Sequence, residues 1–168
     1  PVRRKMKVLD PSCGSGVFLV LTYRRLIETE IAKRGRKIRP SVLRAILLES
    51  VYGVEREKEA CYVTEFSLLL TLLDYIEPPE LHRNKQFKFP NLHNLRIFEA
   101  DFFDTSYLRA ALPIDFDWIV GNPPWIEVSM TKNDTSESFV KVWISENIRT
   151  HPVGRGRVSE AFSWRALD

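Results

Sequence analysis

The chain has 168 residues, of which 44% are hydrophobic and 28% are charged, and this length and composition suit one globular domain with one core. The two cysteines and three histidines form no disulfide framework and no metal-ligand spacing, so we expect no metal site. No apolar run is long enough for a membrane span and no signal peptide opens the chain, which favours a cytoplasmic protein. The net charge of +3 is compatible with a polyanionic partner without requiring one.

The hydrophobic pattern alternates between short strands and longer helices along the chain. Four apolar runs predict strands, at residues 6–9, 51–55, 95–100 and 116–120. Amphipathic runs predict helices at residues 17–33, 41–49, 57–75, 139–148 and 159–167. The polar stretches 81–94 and 131–138 are predicted to be irregular. Because strands alternate with helices, we predict an α/β fold with a doubly wound, mostly parallel sheet.

Several residues mark the expected ends of these helices. Gly35 is predicted to end the first helix, Ser41 to cap the second after Pro40, and Pro78 to stop the third. The connector 34–39 is basic, and a solvated loop is favoured over a contact with a DNA backbone. Four parallel strands leave an open sheet edge, so we expect the chain to be part of a larger protein.

The loop 10–16 follows the first strand and opens the first helix. Ligands of a doubly wound sheet bind at the carboxyl ends of its strands, where glycines such as Gly14 and Gly16 allow a close approach of the backbone. A dinucleotide-binding loop would have a further glycine where this chain has Leu19, and the Gly-Lys-Ser/Thr ending of a phosphate-binding loop is also absent. The loop therefore predicts a ligand without a pyrophosphate.

Acidic residues end the second and third strands. Glu55 can accept hydrogen bonds from both hydroxyls of a ribose, but alone an exposed acid paired with Arg56 or Lys58 is the favoured interpretation. Asp101 can accept from the amino edge of an adenine while Phe102 packs on the ring. A turn aspartate followed by core phenylalanines explains the same residues equally well.

The fourth strand ends in the most specific pattern, Asn-Pro-Pro-Trp at 122–125. Two prolines fix the backbone, so the side-chain oxygen of Asn122 and the carbonyl of Pro123 can converge as paired acceptors for an NH2 group. Trp125 offers a flat face for a planar, nitrogen-bearing ring. The alternative is an Asn-Pro turn with a buried tryptophan. Because the other three strands also end in acidic or glycine-rich turns, this alternative is disfavoured.

These segments resemble the motifs of the N6-adenine DNA methyltransferases. Residues 10–19 resemble motif I, 53–55 motif II, 100–103 motif III and 122–125 motif IV, and residues 159–162 look like the start of motif V. The cofactor motifs precede the Asn-Pro-Pro motif, which is the order of the gamma class. The resemblance implies a Rossmann-like class I methyltransferase fold, incomplete here with about four strands.

The resemblance also implies a role for each matching residue. The loop residues would wrap the methionine part of S-adenosylmethionine, Glu55 would hold its ribose, and Asp101 with Phe102 would hold its adenine. The implied cofactor-binding set is Asp10, Pro11, Ser12, Cys13, Gly14, Gly16, Glu55, Arg56, Asp101 and Phe102. The implied catalytic set, which grips and stacks on the target base, is Asn122, Pro123, Pro124 and Trp125.

Parts of the family pattern are missing from the sequence. Neither the segment before motif I nor the target recognition domain is found, and the helix 41–49 lengthens the path to Glu55. The resemblance implies a restriction-modification or phage-defence enzyme that acts on duplex DNA with a flipped adenine, whereas residues 1–168 alone are expected to be inactive. Ribosomal-RNA and protein-glutamine methyltransferases carry similar turns and remain alternatives, as does a cofactor-binding fragment without activity.

Overall fold

A computed structural model describes residues 6–83, 87–130 and 138–167. Its sheet has four parallel strands in the order β3-β2-β1-β4. They are β1 Val8–Asp10, β2 Val51–Glu55, β3 Ile97–Glu99 and β4 Trp118–Ile119. All four lie within the predicted runs or one residue beyond them, and the predicted parallel α/β sheet is confirmed.

Helices cover both faces of this sheet. They are α1 Val17–Arg34, α2 Pro40–Ser50, α3 Lys58–Asp74, α4 Pro78–Arg83, α5 Thr105–Ala111, α6 Phe139–Asn147 and α7 Val158–Arg165. Residues of α1, α2 and α3, such as Leu19, Leu43 and Leu68, form one buried cluster. Trp143 of α6 and Phe162 of α7 belong to a second cluster. The sheet separates two cores, as a doubly wound fold requires.

The predicted helix ends are partly right. α1 ends at Gly35, which has a φ of 62° and whose N–H bonds to the carbonyl of Ile31 at 2.9 Å, so the left-handed conformation that glycine tolerates closes the helix. The prediction that Ser41 caps α2 is wrong, since Pro40 is the first helical residue and Arg39 precedes it. Proline suits this place because its φ is already helical and its missing N–H would have had no partner.

Pro78 begins a helix instead of stopping one. α3 has already ended at Asp74, and Pro78 opens the short helix α4. Residues 81–83, predicted to be irregular, therefore lie in a helix. The loop predicted at 131–138 falls almost wholly outside the described residues. Sequence reasoning also missed α5, whose cap is the carboxylate of Asp104 accepting from the N–H of Tyr107 at 3.1 Å.

The strand order determines where a ligand binds. β2 lies on one side of β1 and β4 on the other, so the connections diverge at the carboxyl end of β1 and leave a crevice there. The basic connector 34–39 follows the end of α1 that is distant from the loop after β1. Arg34 pairs there with Glu30 at 2.5 Å and Lys37 pairs with Glu77, which agrees with a solvated loop.

Within the described part of the chain, none of the helices combines the length and the apolarity that crossing a bilayer requires.

Candidate active site

A cleft of about 400 Å³ lies at the carboxyl ends of the strands. Each strand contributes the residues that follow it to the lining, namely Pro11, Ser12, Glu55, Arg56, Asp101, Phe102, Asn122 and Pro124. The structure thus brings together residues from all four predicted segments. Cys13, Gly14, Gly16, Pro123 and Trp125 lie in the same loops, beside the lining residues.

The loop after β1 is held tightly against α3. Gly14 and Gly16 both have positive φ, 52° and 85°, which favours glycine. A Cβ on Gly16 would lie 2.8 Å from the side chain of Thr64, and the Thr64 hydroxyl donates to the carbonyl of Gly14 at 2.7 Å. Gly16 is therefore required both by its backbone conformation and by the close approach of the helix.

Glu55 organises the loop as well as lining the cleft. Its Oε2 accepts from the N–H of Gly14 and its Oε1 from the N–H of Glu57, each at 2.9 Å. The ion pair with Arg56 or Lys58 that the sequence favoured is wrong, because Arg56 pairs with Glu57 at 3.3 Å. Two carboxylate oxygens offer about four acceptor sites, so Glu55 can hold the loop and still accept from a ligand.

Asp10 lies beneath the cleft, only 1% exposed. Its Oδ1 accepts from the N–H of Ser12 at 3.1 Å, whereas its Oδ2 has no hydrogen-bond partner among the described residues. Burial raises the pKa of Asp10 to about 6, and the Ser12 bond only partly opposes this. A Cβ on Gly121 would lie 2.7 Å from Oδ1, so the missing side chain at Gly121 lets the segment after β4 pass directly beside Asp10.

Cys13 contributes its backbone to the loop and its side chain to the core. Its N–H donates to the carbonyl of Val54 at 3.0 Å, and its Sγ packs 2.9 Å from where a Cβ on Gly53 would lie. Burial raises the pKa of the Cys13 thiol well above its usual range. The thiol is therefore a neutral core group, and only the backbone of Cys13 is near the cleft.

Asp101 and Phe102 form the opposite wall. Oδ1 of Asp101 accepts from the N–H of Phe103 at 2.8 Å, which leaves the second oxygen for a ligand. Phe102 is buried and stacks on Phe162 of α7 at a centroid distance of 5.2 Å. The guanidinium of Arg165 lies 4.6 Å from the Phe102 centroid. Phe102 is therefore a core residue, as one of the two interpretations predicts, and it also lines the cleft.

An apolar wall completes the cleft, and sequence reasoning missed it. It is formed by Ile126, Val128, Val140, Val158 and Phe162. Short antiparallel pairing holds it, with Val158 N–H bonded to the Ile126 carbonyl at 2.9 Å. Phe162 lies in the segment assigned to motif V, which was the one available signal. The hydroxyls of Ser12 and Ser138 are buried in the lining without a partner among the described residues, so a polar ligand would satisfy them.

The turn after β4 is exposed. Trp125 is 82% exposed, so the alternative of a buried tryptophan is wrong. Its indole Nε1–H donates to Oδ1 of Asn122 at 2.9 Å. Asn122 also lines the cleft, and its neighbour Gly121 lies directly beside Asp10, the last residue of β1. Asn122 is thus an exposed residue of the cleft lining, and the exposed indole of Trp125 is bonded to it.

The described residues contain no group of three or more histidine, cysteine or acidic side chains placed to hold a metal ion.

The fold and the site define an α/β domain whose ligand cleft opens beside an exposed, amide-bearing turn, an arrangement suited to group transfer between two bound molecules. Residues 3–152 match the family described as MmeI, DNA-methyltransferase domain. The chain belongs to this family.

Three curated relatives have modest identity to this chain. The Type II methyltransferase M.BstVI of Geobacillus stearothermophilus is 32% identical over 140 residues, covering 80% of this chain and 22% of that protein. DNA methyltransferase A of Bacillus subtilis is 29% identical over 139 residues, covering 73% and 15%. The Type II restriction enzyme and methyltransferase RM.Eco57I of Escherichia coli is 25% identical over 145 residues, covering 71% and 14%. The chain therefore spans about a fifth or less of the length of these relatives.

A solved structure shares the fold. It is a nuclease-deletion mutant of the Type ISP restriction-modification enzyme LlaGI in complex with a DNA substrate mimic, with a TM-score of 0.65 and 17% identity. The alignment covers 98% of this chain and 14% of that one. At this identity the likeness supports the architecture of the domain.

Proposed function

We propose that this domain binds S-adenosylmethionine and transfers its methyl group to N6 of adenine in DNA, as part of a restriction-modification or related defence enzyme. One observation carries the proposal: the amide of Asn122 lines the cleft that Glu55 and Asp101 also line. The proposed cofactor site and the proposed acceptor for an exocyclic amine would thus adjoin. Membership in a DNA-methyltransferase family supports the reaction class.

The lining of the cleft fits S-adenosylmethionine. Its volume of about 400 Å³ is within the range of small-molecule sites. Glu55 and Asp101 bring carboxylates, which suit a sulfonium cation, ribose hydroxyls and an adenine amine, and which disfavour a phosphate. The partnerless Ser12 hydroxyl adds a buried polar group that a polar ligand would satisfy. When bound, the cofactor supplies an activated methyl carbon that the amine nitrogen displaces in line, while the C–S bond breaks and one amine proton leaves to water.

The chain's own residues act on the target amine. Its lone pair is delocalised into the purine ring, which makes the nitrogen a poor nucleophile. Oδ1 of Asn122 and the carbonyl of Pro123 would accept from its two hydrogens, which favours a tetrahedral nitrogen and frees the lone pair. The prolines fix the spacing of the two acceptors. Catalysis then depends on position and electrostatics, with no covalent intermediate on the protein.

Trp125 supplies the surface for the base. A base in duplex DNA must leave the stack before it reaches the cleft, at a cost of a few kcal/mol. Stacking on an aromatic ring offsets about 1–3 kcal/mol of that cost. Because Trp125 is 82% exposed, its face is accessible to an incoming ring. DNA is the proposed partner, and the cytoplasm of a bacterium or archaeon, where that DNA lies, is the proposed location.

A methyl-transfer assay tests this proposal and its alternatives. The full-length protein is incubated with radiolabelled S-adenosylmethionine and with DNA, ribosomal RNA or a release-factor protein, and the labelled nucleosides are separated after digestion. We expect label in DNA as N6-methyladenine, and no transfer by residues 1–168 alone, because the resemblance implies a separate target recognition domain. Label confined to RNA or protein, or found in cytosine, would overturn the proposal.

A further inference from the structure

The amide of Asn122 is engaged by its own turn. Nε1–H of Trp125 donates to Oδ1 of Asn122 at 2.9 Å, across two prolines that fix the intervening backbone. Asn122 is exposed and Trp125 is 82% exposed, so both groups could bond to water instead. The observed bond therefore fixes the orientation of two exposed side chains relative to each other.

The indole determines which end of the amide faces which way. An asparagine amide has an acceptor oxygen at one end and a donor NH2 at the other, and a half-turn of the terminal torsion exchanges them. An indole N–H only donates, so it pairs with the oxygen alone. The wrong orientation would present NH2 to the target amine, and two donors facing each other would leave the amine lone pair delocalised.

We propose that Trp125 is a positioning residue that holds Oδ1 of Asn122 as the acceptor for the target amine. The inference rests on the proposed function and adds to the stacking role a second role for the same side chain. An amide oxygen has two lone pairs, so the indole occupies one and the amine hydrogen takes the other. Phenylalanine at this position provides the aromatic face without the N–H and therefore separates the two roles.

The first test compares Trp125→Phe in two backgrounds of the full-length enzyme. With Asn122 present, kcat falls about tenfold while KM for DNA changes less than threefold, because the ring face remains. In Asn122→Asp, an acceptor oxygen stands at both ends of the side chain, so Trp125→Phe costs less than twofold in kcat. Equal losses in both backgrounds, or a rise in KM with kcat unchanged, would overturn the inference.

Trp164→Phe is the matched control. Its indole also donates to an oxygen, the carbonyl of Pro152 at 3.0 Å, but it does not line the cleft. This variant loses the same kind of bond and should keep the wild-type kcat. A tenfold loss in Trp164→Phe as well would mean that any lost indole bond slows the enzyme, which contradicts a role specific to Trp125.

The second test needs no turnover. The indole N–H resonance of Trp125 is identified by its absence in Trp125→Phe, and its exchange with water is measured by NMR. Exchange should be several-fold faster in Asn122→Ala and near wild type in Asn122→Asp. Equal exchange in wild type and Asn122→Ala would overturn the inference. Full activity of Asn122→Ala would instead defeat the proposed function, so the two failures are distinguishable.

Discussion

The two sides of the cleft are built differently. On the side of β1 and β2, the loop residues are tied together by bonds among Gly14, Glu55 and Thr64, and Asp10 beneath them is 1% exposed. On the side of β4, Trp118 is 61% exposed and Trp125 is 82% exposed. The side-chain bond between Trp125 and Asn122 lies within that turn.

The difference follows from the position of the strands. β1 is paired on both sides, whereas β4 is paired only with β1 among the described residues. A central strand end has neighbours on both sides that can supply hydrogen bonds, whereas an edge strand has a neighbour on one side. The side proposed to bind the cofactor is therefore part of the folded core, whereas the side proposed to bind the target base is open to solvent. Changes on the first side should cost stability, and changes on the second should cost turnover alone.

The largest effect should come from Asn122→Ala. Removing one acceptor from the transition state should lower kcat by about 10³-fold, the usual cost of losing one preorganised hydrogen-bonding group. The free energy of unfolding should change by less than about 0.5 kcal/mol, because an exposed side chain contributes little to the fold. Steady-state methylation rates and chemical denaturation check both parts. A large loss of stability in Asn122→Ala would contradict the idea that this side of the cleft contributes to turnover and not to folding.

Glu55→Ala should show the opposite pattern, with a loss of stability of about 3 kcal/mol. Two backbone N–H groups bond to this carboxylate, and hydrogen bonds to charged groups contribute about 1.5–3 kcal/mol each without strict additivity. Glu57→Ala is the control, since its exposed pair with Arg56 contributes less than about 1 kcal/mol. Denaturant unfolding of both variants measures the difference, and equal losses would contradict the account.

The buried carboxyl of Asp10, on the proposed cofactor side, predicts that the free energy of unfolding depends on pH. Its pKa is raised to about 6 by burial, so the folded state holds the proton more tightly than the unfolded state. The resulting stabilisation is complete below about pH 4 and is lost as the pH rises through about 6, by up to roughly 3 kcal/mol. Asp10→Asn removes this pH-dependent contribution to stability. The stability of wild type minus that of Asp10→Asn should therefore fall between pH 4 and 7, and a constant or rising difference would contradict it.

A smaller difference in stability is expected between alanine substitutions at two glycines of the same loop. Gly16→Ala combines a φ of 85° with a contact of 2.8 Å to Thr64, and it should cost about 2–3 kcal/mol. Gly14→Ala has a φ of 52° and nothing within 4 Å of the new Cβ, so it should cost only about 1 kcal/mol. Thermal unfolding of the two variants gives the comparison. Equal costs would mean that the contact with α3 is not tight.

Much of the fold was predictable because its signals are local. Apolar runs gave all four strands, and Gly35 marked the end of α1. Ser41 was misassigned because either a serine or the neighbouring proline can open a helix. Pro78 was misassigned because a proline can follow the end of one helix or open the next. α5 was missed because it has only seven residues, too few to show a clear period.

The sequence predicted which segments form the site, but not which residues in them contact each other. The loops after the strands were named correctly as neighbours, because parallel strands bring their ends together. The partners of Glu55 were not, since backbone N–H groups leave no mark in the sequence. The apolar wall depends on pairing between Ile126 and Val158, 32 positions apart in the chain, and the Trp125–Asn122 bond depends on side-chain torsions.

One measurement tests the central distinction most directly: calorimetric titration of S-adenosylmethionine into the wild type, Asn122→Ala and Asp101→Asn. The backbone N–H of Phe103 donates to Oδ1 of Asp101, and in Asp101→Asn it should keep the amide oxygen in that place. The amide NH2 then faces the ligand, so the affinity for S-adenosylmethionine should fall about tenfold, or ~1.4 kcal/mol. Asn122→Ala should bind the cofactor within about twofold of wild type, an effect of ~0.4 kcal/mol. A loss of cofactor affinity in Asn122→Ala as large as in Asp101→Asn would contradict a cofactor side that is complete without the target side.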